Sequence, residues 1–234
     1  NNSPYDSWGI WAINVYANQR HLLFGVSLLL ILVMLFIPYV RRLCISIMNK
    51  DQNVFKTFFA ARNTWLPRKN DRIHPIRNLI LALIIVVVMP YIHGSALIAA
   101  LLVLFGMAIV SENRLSYLAV AVTAVVSSYI QTRIFSGNFR DFVLFQFKPG
   151  FVTDSTSVQV MSKYIFYITG FTLVLTAIFA IGWLIKDIAV RKPVYRTLLV
   201  ICFLLPLVFA FCFQVSLEML ANHKFIQFTL ILID

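Results

Sequence analysis

Long apolar runs, separated by short polar segments, divide this sequence from end to end. Several of them extend for roughly 18 residues or more without a charge, the length a helix needs to cross the hydrocarbon core of a bilayer. In hydrocarbon, every backbone amide must find its partner within the protein, so such runs fold as helices. Composition agrees, because 60% of the 234 residues are hydrophobic and only 12% are charged. The sequence therefore predicts an all-α, polytopic transmembrane helical bundle.

The apolar runs predict about six full spans and a partial seventh. Their approximate limits are 21–40, 78–91, 95–110, 115–135, 161–185 and 197–215, with 225–234 opening the seventh. Pro206 is expected to kink the sixth span, since membrane helices tolerate proline where neighbours satisfy the freed backbone groups. The sequence does not begin with Met and stops within an apolar run, so we expect residues 1–234 to be a single membrane domain of a longer chain.

Lysine and arginine are distributed unevenly between the polar segments. Residues 41–77, 111–114 and 186–196 hold 14 of the 20 basic residues. Cytoplasmic loops carry such an excess, so 41–77 and 186–196 are predicted to be cytoplasmic. Within 41–77, one amphipathic helix is expected on the membrane surface, built from Val54, Phe55, Phe58, Phe59 and Ala60. This topology, together with anionic membrane lipids, accounts for the net charge of +11 without a nucleic-acid partner.

The extracytoplasmic side is predicted to collect the polar features that topology does not explain. They are residues 1–20, the PYIHG turn, an aromatic loop over 136–160 and the ANHK turn. The aromatic loop interleaves charged residues with phenylalanines, so it is too charged to cross a bilayer and too aromatic for an ordinary solvated linker. We expect an interfacial or re-entrant loop that covers a site on this side of the membrane.

Basic residues on this side are candidates for substrate binding, with phosphate as the anion they suit. Arg140 stands beside Asp141, so the arginine either binds phosphate in a bidentate fork or forms a local ion pair. Lys148 precedes a Pro-Gly turn and offers a point charge. Asn222, His223 and Lys224 form another polar cluster, at the start of the seventh span. A helix N-terminus with basic side chains favours an anion, so the cluster is a candidate ligand site. Alternatively, these residues simply anchor the end of the span at the membrane surface.

Catalytic candidates are fewer. His93, where the second and third spans meet, is either an interfacial residue at a helix end or a proton carrier or phosphate ligand. Asp141 and Asp6 are candidates for a catalytic base, although Asp6 also suits a helix N-cap. Gln131 lies within a turn of Ser127, so it either hydrogen-bonds between helices or contacts substrate.

Other chemistries find no support in the sequence. The three cysteines, Cys44, Cys202 and Cys212, lack the spacing of a disulfide framework or a metal site. Nucleotide-binding loops, HExxH and GxSxG motifs do not occur. We expect no organic cofactor, and the need for a divalent metal stays open. The span interiors are nearly uncharged, which argues against an ion-driven transporter.

The layout resembles the membrane-embedded GT-C-type glycosyltransferases. The resemblance lies in the HGSALIAALLVLFGMAIVSENR hairpin, the QTRIF span end followed by FQFKPGF, and the polar NHK turn. It implies an enzyme of the bacterial plasma membrane that takes sugar from a polyprenyl-phosphate carrier. Its partners would be membrane lipids and a glycan or lipid acceptor, as in cell-envelope polysaccharide modification. The acid that such enzymes carry in an early outer loop cannot be placed on Asp6 by this resemblance.

Two other classes of protein remain open. One is a transporter or flippase subunit for lipid or polysaccharide, which requires a polar path across the bundle. The other is a non-catalytic membrane scaffold, whose outer charges would be dispersed. These alternatives differ in whether His93, Arg140 and Lys224 meet in space.

Overall fold

The computed structural model of the protein describes residues 20–48, 58–59, 61–68, 74–135, 145–153, 155–216 and 219–234. Most of these residues are helical and very few lie in strands, which confirms the predicted all-α class. The elements, in chain order, are α1 (Arg20–Met48), α2 (Arg62–Trp65), α3 (Pro75–Ile92), α4 (Gly94–Ile109), α5 (Arg114–Phe135), β1 (Gln146–Phe147), a 3-10 turn (Phe151–Thr153), α6 (Val158–Thr169), α7 (Thr172–Ala189), α8 (Tyr195–Phe203), α9 (Leu205–Cys212), β2 (Phe213–Gln214) and α10 (Met219–Ile233).

Five helical stretches in the described ranges are long and apolar enough to cross a membrane. They are His21–Met48, Pro75–Ile92, Arg114–Phe135, Thr172–Ala189 and Tyr195–Cys212. Helix α4 is also apolar but shorter, with 16 residues. The first four predicted spans thus correspond to α1, α3, α4 and α5, whereas the fifth and sixth are each divided.

Helix α4 lies at the centre of the bundle and packs against α1, α3, α5, α8, α9 and α10. Its buried face begins with small side chains, Ala96, Ala99 and Ala100. Small residues let helix backbones approach closely, which favours packing between membrane helices. At Gly106, an added methyl group would lie 2.5 Å from Leu205 Cδ1 and 3.3 Å from Cys202 Cβ, so side chains of α8 and α9 pack directly on this glycine.

Helix α1 extends beyond the apolar run that predicted it. The run ends at Val40, but the helix continues through Arg41 and Arg42 to Met48. Nothing in RRLCISIM breaks a helix, since the segment holds neither glycine nor proline. Both guanidinium groups lie near aromatic rings, Arg42 over Tyr39 at 6.0 Å and Arg41 over Tyr195 at 5.9 Å. Their apolar stems can thus follow the bundle while the charges stay at its end.

The fifth predicted span, 161–185, is divided at Gly170. This residue has φ +54° and ends α6, its amide donating to Phe166 O at 2.8 Å. A positive φ is accessible to glycine at little cost, so the chain can turn here between two apolar helices. Most of α6 is exposed, including Tyr167 at 70%.

The sixth predicted span is interrupted close to the proline that suggested a kink. Helix α8 ends at Phe203 and α9 begins at Leu205, with Pro206 in its first turn. Proline fits the first turn because its missing amide proton would have no helical acceptor there. Helix α9 then ends at Cys212, and the chain continues as β2.

The described part of the aromatic loop is a short ribbon docked on the bundle. Strand β1 pairs antiparallel with β2, with Phe147 opposite Phe213. A Lys148-Pro149-Gly150 turn follows, as the sequence predicted. Gly150 has φ +76°, and a Cβ there would lie 1.9 Å from Ser155 O, so the turn requires glycine. The remainder of the predicted loop, 136–144 and Asp154, lies outside the described residues.

The two ends of the bundle differ in chemistry. One end, the histidine end, carries His21, His93 and His223. The opposite end, the glutamate end, carries Arg68, Glu112 and Asp187. The predicted surface helix lies within residues 41–77. Of its residues, the structure describes only Phe58 and Phe59, and both are helical. Val54, Phe55 and Ala60 lie outside the described residues.

The SENR turn at the glutamate end is buried rather than a simple exposed connection. Glu112 is 3% exposed and receives a fork from Arg68, with Nη2 to Oε1 at 2.6 Å and Nε to Oε2 at 3.1 Å. Ser46 Oγ donates to the same carboxylate at 3.0 Å, and the Glu112 amide donates to Tyr39 O at 3.3 Å. These bonds join α1, the segment after α2 and the turn between α4 and α5.

Candidate functional site

His93 is the centre of the histidine end. It ends α3 and caps α4, with Nδ1 accepting from the Ala96 amide at 3.2 Å. Its side chain is only 6% exposed. The ring stacks on His21 with centroids 5.3 Å apart, and Phe228 of α10 meets it edge-on at 6.2 Å. Three separate segments therefore converge on this imidazole.

The surroundings of His93 favour its neutral form. Burial lowers the pKa of His93 to about 4, and the neighbouring Lys224 and His21 act in the same direction. Since Nδ1 accepts a hydrogen bond, the proton of the neutral ring lies on Nε2. At neutral pH, His93 is therefore a hydrogen-bond donor through Nε2 and not a cation.

A close contact between helices places His93 beside His21. At Gly25, an added Cβ would lie 2.9 Å from Ala96 Cβ and 3.1 Å from His93 Cβ. Only glycine lets the first turns of α1 approach the start of α4 to this distance. The pairing of the two histidines depends on this approach, because His21 lies one helical turn before Gly25.

The predicted NHK turn is helical. Asn222, His223 and Lys224 lie within the first turns of α10, which begins at Met219, and not in a loop before position 225. His223 Nε2 and the Tyr164 hydroxyl of α6 share a hydrogen bond of 2.5 Å. Lys224 is half-buried and close enough for its charge to act on His93. The PYIHG turn and the first turns of α10 thus lie at the same end of the bundle, near enough for the charge of Lys224 to act on His93.

Asn222 is held by the backbone of the neighbouring segments. Its side chain is 0% exposed, and its amide nitrogen donates to Ala210 O at 2.9 Å and to Phe213 O. Its Oδ1 accepts from the Val215 amide at 3.3 Å. The residue satisfies the backbone where α9 ends and β2 begins, so the structure gives it the role of positioning α10.

The remaining candidate residues are not grouped around His93 in the part of the chain that the structure describes. Lys148 is exposed in the turn after β1, with Nζ 4.9 Å from the centre of the Phe151 ring. Gln131 is half-buried near the end of α5. In the same polar stripe, Ser127 Oγ donates to Val87 O at 2.7 Å, which is an interhelical hydrogen bond. Three further candidates lie outside the described residues: Arg140, Asp141 and Asp6.

Several residues of this site were not singled out from the sequence. The apolar runs place His21 and Tyr164 within predicted spans, and Phe228 among the apolar residues of the seventh. The signal for His21 was its position at the start of the first span, on the side predicted for His93. No such signal existed for Tyr164, because its helix was not distinguished from the span after it.

The described residues contain no group of three or more His, Cys, Asp or Glu side chains placed to hold a metal ion. The three cysteines are free thiols, Cys44 and Cys202 buried and Cys212 half-buried. Among the described residues, the histidine end presents hydrogen-bonding imidazoles and the charge of Lys224. Comparisons with family models, with curated proteins and with solved structures find no match to this chain.

Proposed function

We propose that this chain is the membrane domain of a glycosyltransferase that takes a sugar from a polyprenyl-phosphate carrier and transfers it to a glycan or lipid acceptor. The histidine end binds the phosphate of the carrier in this proposal. The observation that carries it is the stack of His21 on His93, from separate segments at one end of an apolar bundle, with the charge of Lys224 of α10 acting on His93.

A phosphate diester suits this arrangement. Lys224 supplies a positive charge, and the neutral His93 supplies a donor at Nε2, which together favour an oxyanion. The N-terminal ends of α4 and α10 lie at the same end of the bundle, and helix N-termini carry partial positive charge. A charged headgroup at the end of a membrane bundle is what a lipid carrier presents, because its prenyl chain stays in hydrocarbon.

The aromatic ribbon supplies an apolar surface beside this site. The Phe145 ring stacks on Phe213 with centroids 5.3 Å apart, and Phe209 stacks on Phe213 at 5.2 Å. Phe145 and Phe147 are each 65% exposed although they belong to this cluster. We propose that these rings contact the prenyl chain or the sugar, with Lys148 at the edge.

The acceptor hydroxyl requires a base, for which Asp141 and Asp6 remain our candidates. The histidine end then faces the extracytoplasmic side of a bacterial plasma membrane, and the glutamate end, with residues 41–77 and 186–196, faces the cytoplasm. This arrangement has six spans and a seventh formed by α10, with α6 lying at the interface rather than across the membrane.

Sugar transfer from lipid-linked donors tests this proposal. Full-length protein in proteoliposomes is supplied with polyprenyl phosphates carrying common hexoses in turn, and release of free polyprenyl phosphate is measured. Lys224→Ala should lower kcat/KM by about tenfold or more, the loss expected for one charge-assisted contact. Lys163→Ala, an exposed lysine of α6, serves as the matched control and should retain activity. Equal rates for Lys224→Ala and wild type on an accepted donor would overturn the phosphate site.

A further inference from the structure

A cavity of about 570 Å³ opens at the glutamate end, away from the histidine end. The last turns of α1 line one wall, and the end of α7 with the α7–α8 connection lines the other. Most of the lining is apolar, but one acidic and two basic residues contribute to it. The lining residues that matter here are Ile47, Met48, Asp187, Arg191 and Lys192.

Asp187 is the unusual member of this lining. It lies in the last turn of α7 and is only 5% exposed. Its Oδ2 atom is buried and receives no hydrogen bond from any residue of the described ranges. The charge of Arg196 acts on this carboxylate, but through space and not through a hydrogen bond to Oδ2. A buried carboxylate oxygen without a donor is costly, so a ligand that donates to it would be stabilised.

Arg191 and Lys192 line the same cavity from the end of α7. The Lys192 amide donates to Asp187 O at 2.7 Å and the Arg191 amide donates to Ile188 O at 3.1 Å, which together form a Schellman motif. Arg191 has φ +52° at the position where glycine is usual. The chain therefore carries an arginine at the rim of the cavity, at a backbone cost that glycine would avoid.

We propose that this cavity binds the headgroup of a zwitterionic phospholipid with a primary ammonium, such as phosphatidylethanolamine. The phosphate accepts hydrogen bonds from Arg191 and Lys192, and the ammonium donates to Asp187. The apolar wall of Ile47, Met48 and Ile188 accommodates the start of the acyl chains. A phospholipid that lacks an ammonium leaves Asp187 without a donor, and a quaternary ammonium has no N–H to give.

This inference does not depend on glycosyl transfer, because it concerns the opposite end of the bundle. The test uses full-length protein in phosphatidylcholine nanodiscs that contain equal mole fractions of phosphatidylethanolamine and phosphatidylglycerol, with retained lipids counted by native mass spectrometry. Wild-type protein should retain phosphatidylethanolamine over both other lipids. Asp187→Asn should reduce this preference about tenfold, the loss expected for one charge-assisted hydrogen bond. Asp234→Asn, an exposed acid at the end of α10, should leave it unchanged.

A second measurement needs no variant and stays informative if Asp187→Asn fails to fold. Retention by wild-type protein should fall from phosphatidylethanolamine through its monomethyl and dimethyl forms to phosphatidylcholine, as N–H donors are removed. Equal retention along this series would overturn the proposal. Equal retention of phosphatidylglycerol and phosphatidylethanolamine would also overturn it, showing a site for anionic headgroups that makes no use of Asp187.

Discussion

His21 and His93 stack with their ring centroids 5.3 Å apart, joining the first turn of α1 to the junction of α3 and α4. The contact brings two imidazoles and the charge of Lys224 into one region of the bundle. Because His93 is buried and also caps α4, its protonation would disturb both the stack and the cap. The stability of the histidine end should therefore depend on pH.

The pH dependence has a defined direction. The pKa of His93 is lowered from 6.5 to about 4, so between these values the unfolded chain takes up a proton that the folded chain does not. The contribution of His93 to the free energy of unfolding is fully present above pH 6.5. It is lost as the pH falls toward 4, by up to ~1.4 kcal/mol per pH unit. His93→Asn keeps a side-chain acceptor for the cap but does not titrate.

We expect the melting temperature of wild-type protein in detergent to fall more than that of His93→Asn when the pH is lowered from about 7 to about 4.5. Parallel losses in the two proteins would show that other groups cause the pH dependence. An unchanged profile in the wild type would contradict the burial of a neutral His93.

Gly25→Ala should destabilise the protein through a steric contact. The new methyl group would lie 2.9 Å from Ala96 Cβ, so α1 and α4 must move apart, at a cost of ~1–3 kcal/mol in the free energy of unfolding. Gly182→Ala is the matched control, because nothing lies within 4 Å of the added group in the interior of α7. This control should be neutral or stabilising by about 0.5–1 kcal/mol. Similar melting temperatures for the two variants would contradict the close packing at Gly25.

Asn222→Ala should weaken the contact between α9 and α10. The change leaves the buried carbonyls of Ala210 and Phe213 without the donor that Asn222 supplies. The free energy of unfolding should therefore fall by ~1–3 kcal/mol. Asn222→Asp keeps the acceptor for the Val215 amide but places a carboxylate against two carbonyl oxygens, so it should be at least as destabilising. Denaturant unfolding in micelles measures both. A stable aspartate variant would show that the amide donors are dispensable.

Arg68 and Glu112 should show energetic coupling. Arg68→Ala leaves the buried Glu112 carboxylate without its guanidinium. We expect the free energy of unfolding to fall by ~1–3 kcal/mol, toward the lower end because the arginine side chain is 39% exposed. Glu112→Gln should lower the free energy of unfolding less in the Arg68→Ala protein than in the wild type, and a double-mutant cycle measures this difference. Arg62→Ala, an exposed arginine of α2, is the control and should have little effect. Strict additivity would mean that the fork contributes nothing.

Hydropathy predicted the long helices well, because a run of apolar residues can satisfy its backbone in hydrocarbon only as a helix. Alternation of the predicted spans also puts His93 and Lys224 on one side of the membrane, and in the structure the charge of Lys224 acts on His93. The division of the fifth span was missed, since a single Gly170 within an apolar run is a weak signal. The start of α10 was missed as well, because its first turns are polar.

Long-range contacts could not be read from the sequence. The pairing of β1 with β2 involves two residues in each strand, too short for a periodic pattern. The burial of Glu112 depends on Arg68 and Ser46, which lie in distant segments. Asp187 was counted only as part of a basic connection, and its cavity appears once α1 and α7 are packed together.

Binding of a polyprenyl monophosphate, compared with the corresponding polyprenyl alcohol, tests the phosphate site most directly. Full-length protein in nanodiscs is titrated with each lipid, for the wild type, Lys224→Met and the control Lys163→Met. We predict that wild type and control bind the phosphate at least about tenfold more tightly than the alcohol, and that Lys224→Met loses most of this difference. Equal affinity of the wild type for the phosphate and the alcohol would contradict a phosphate site at the histidine end.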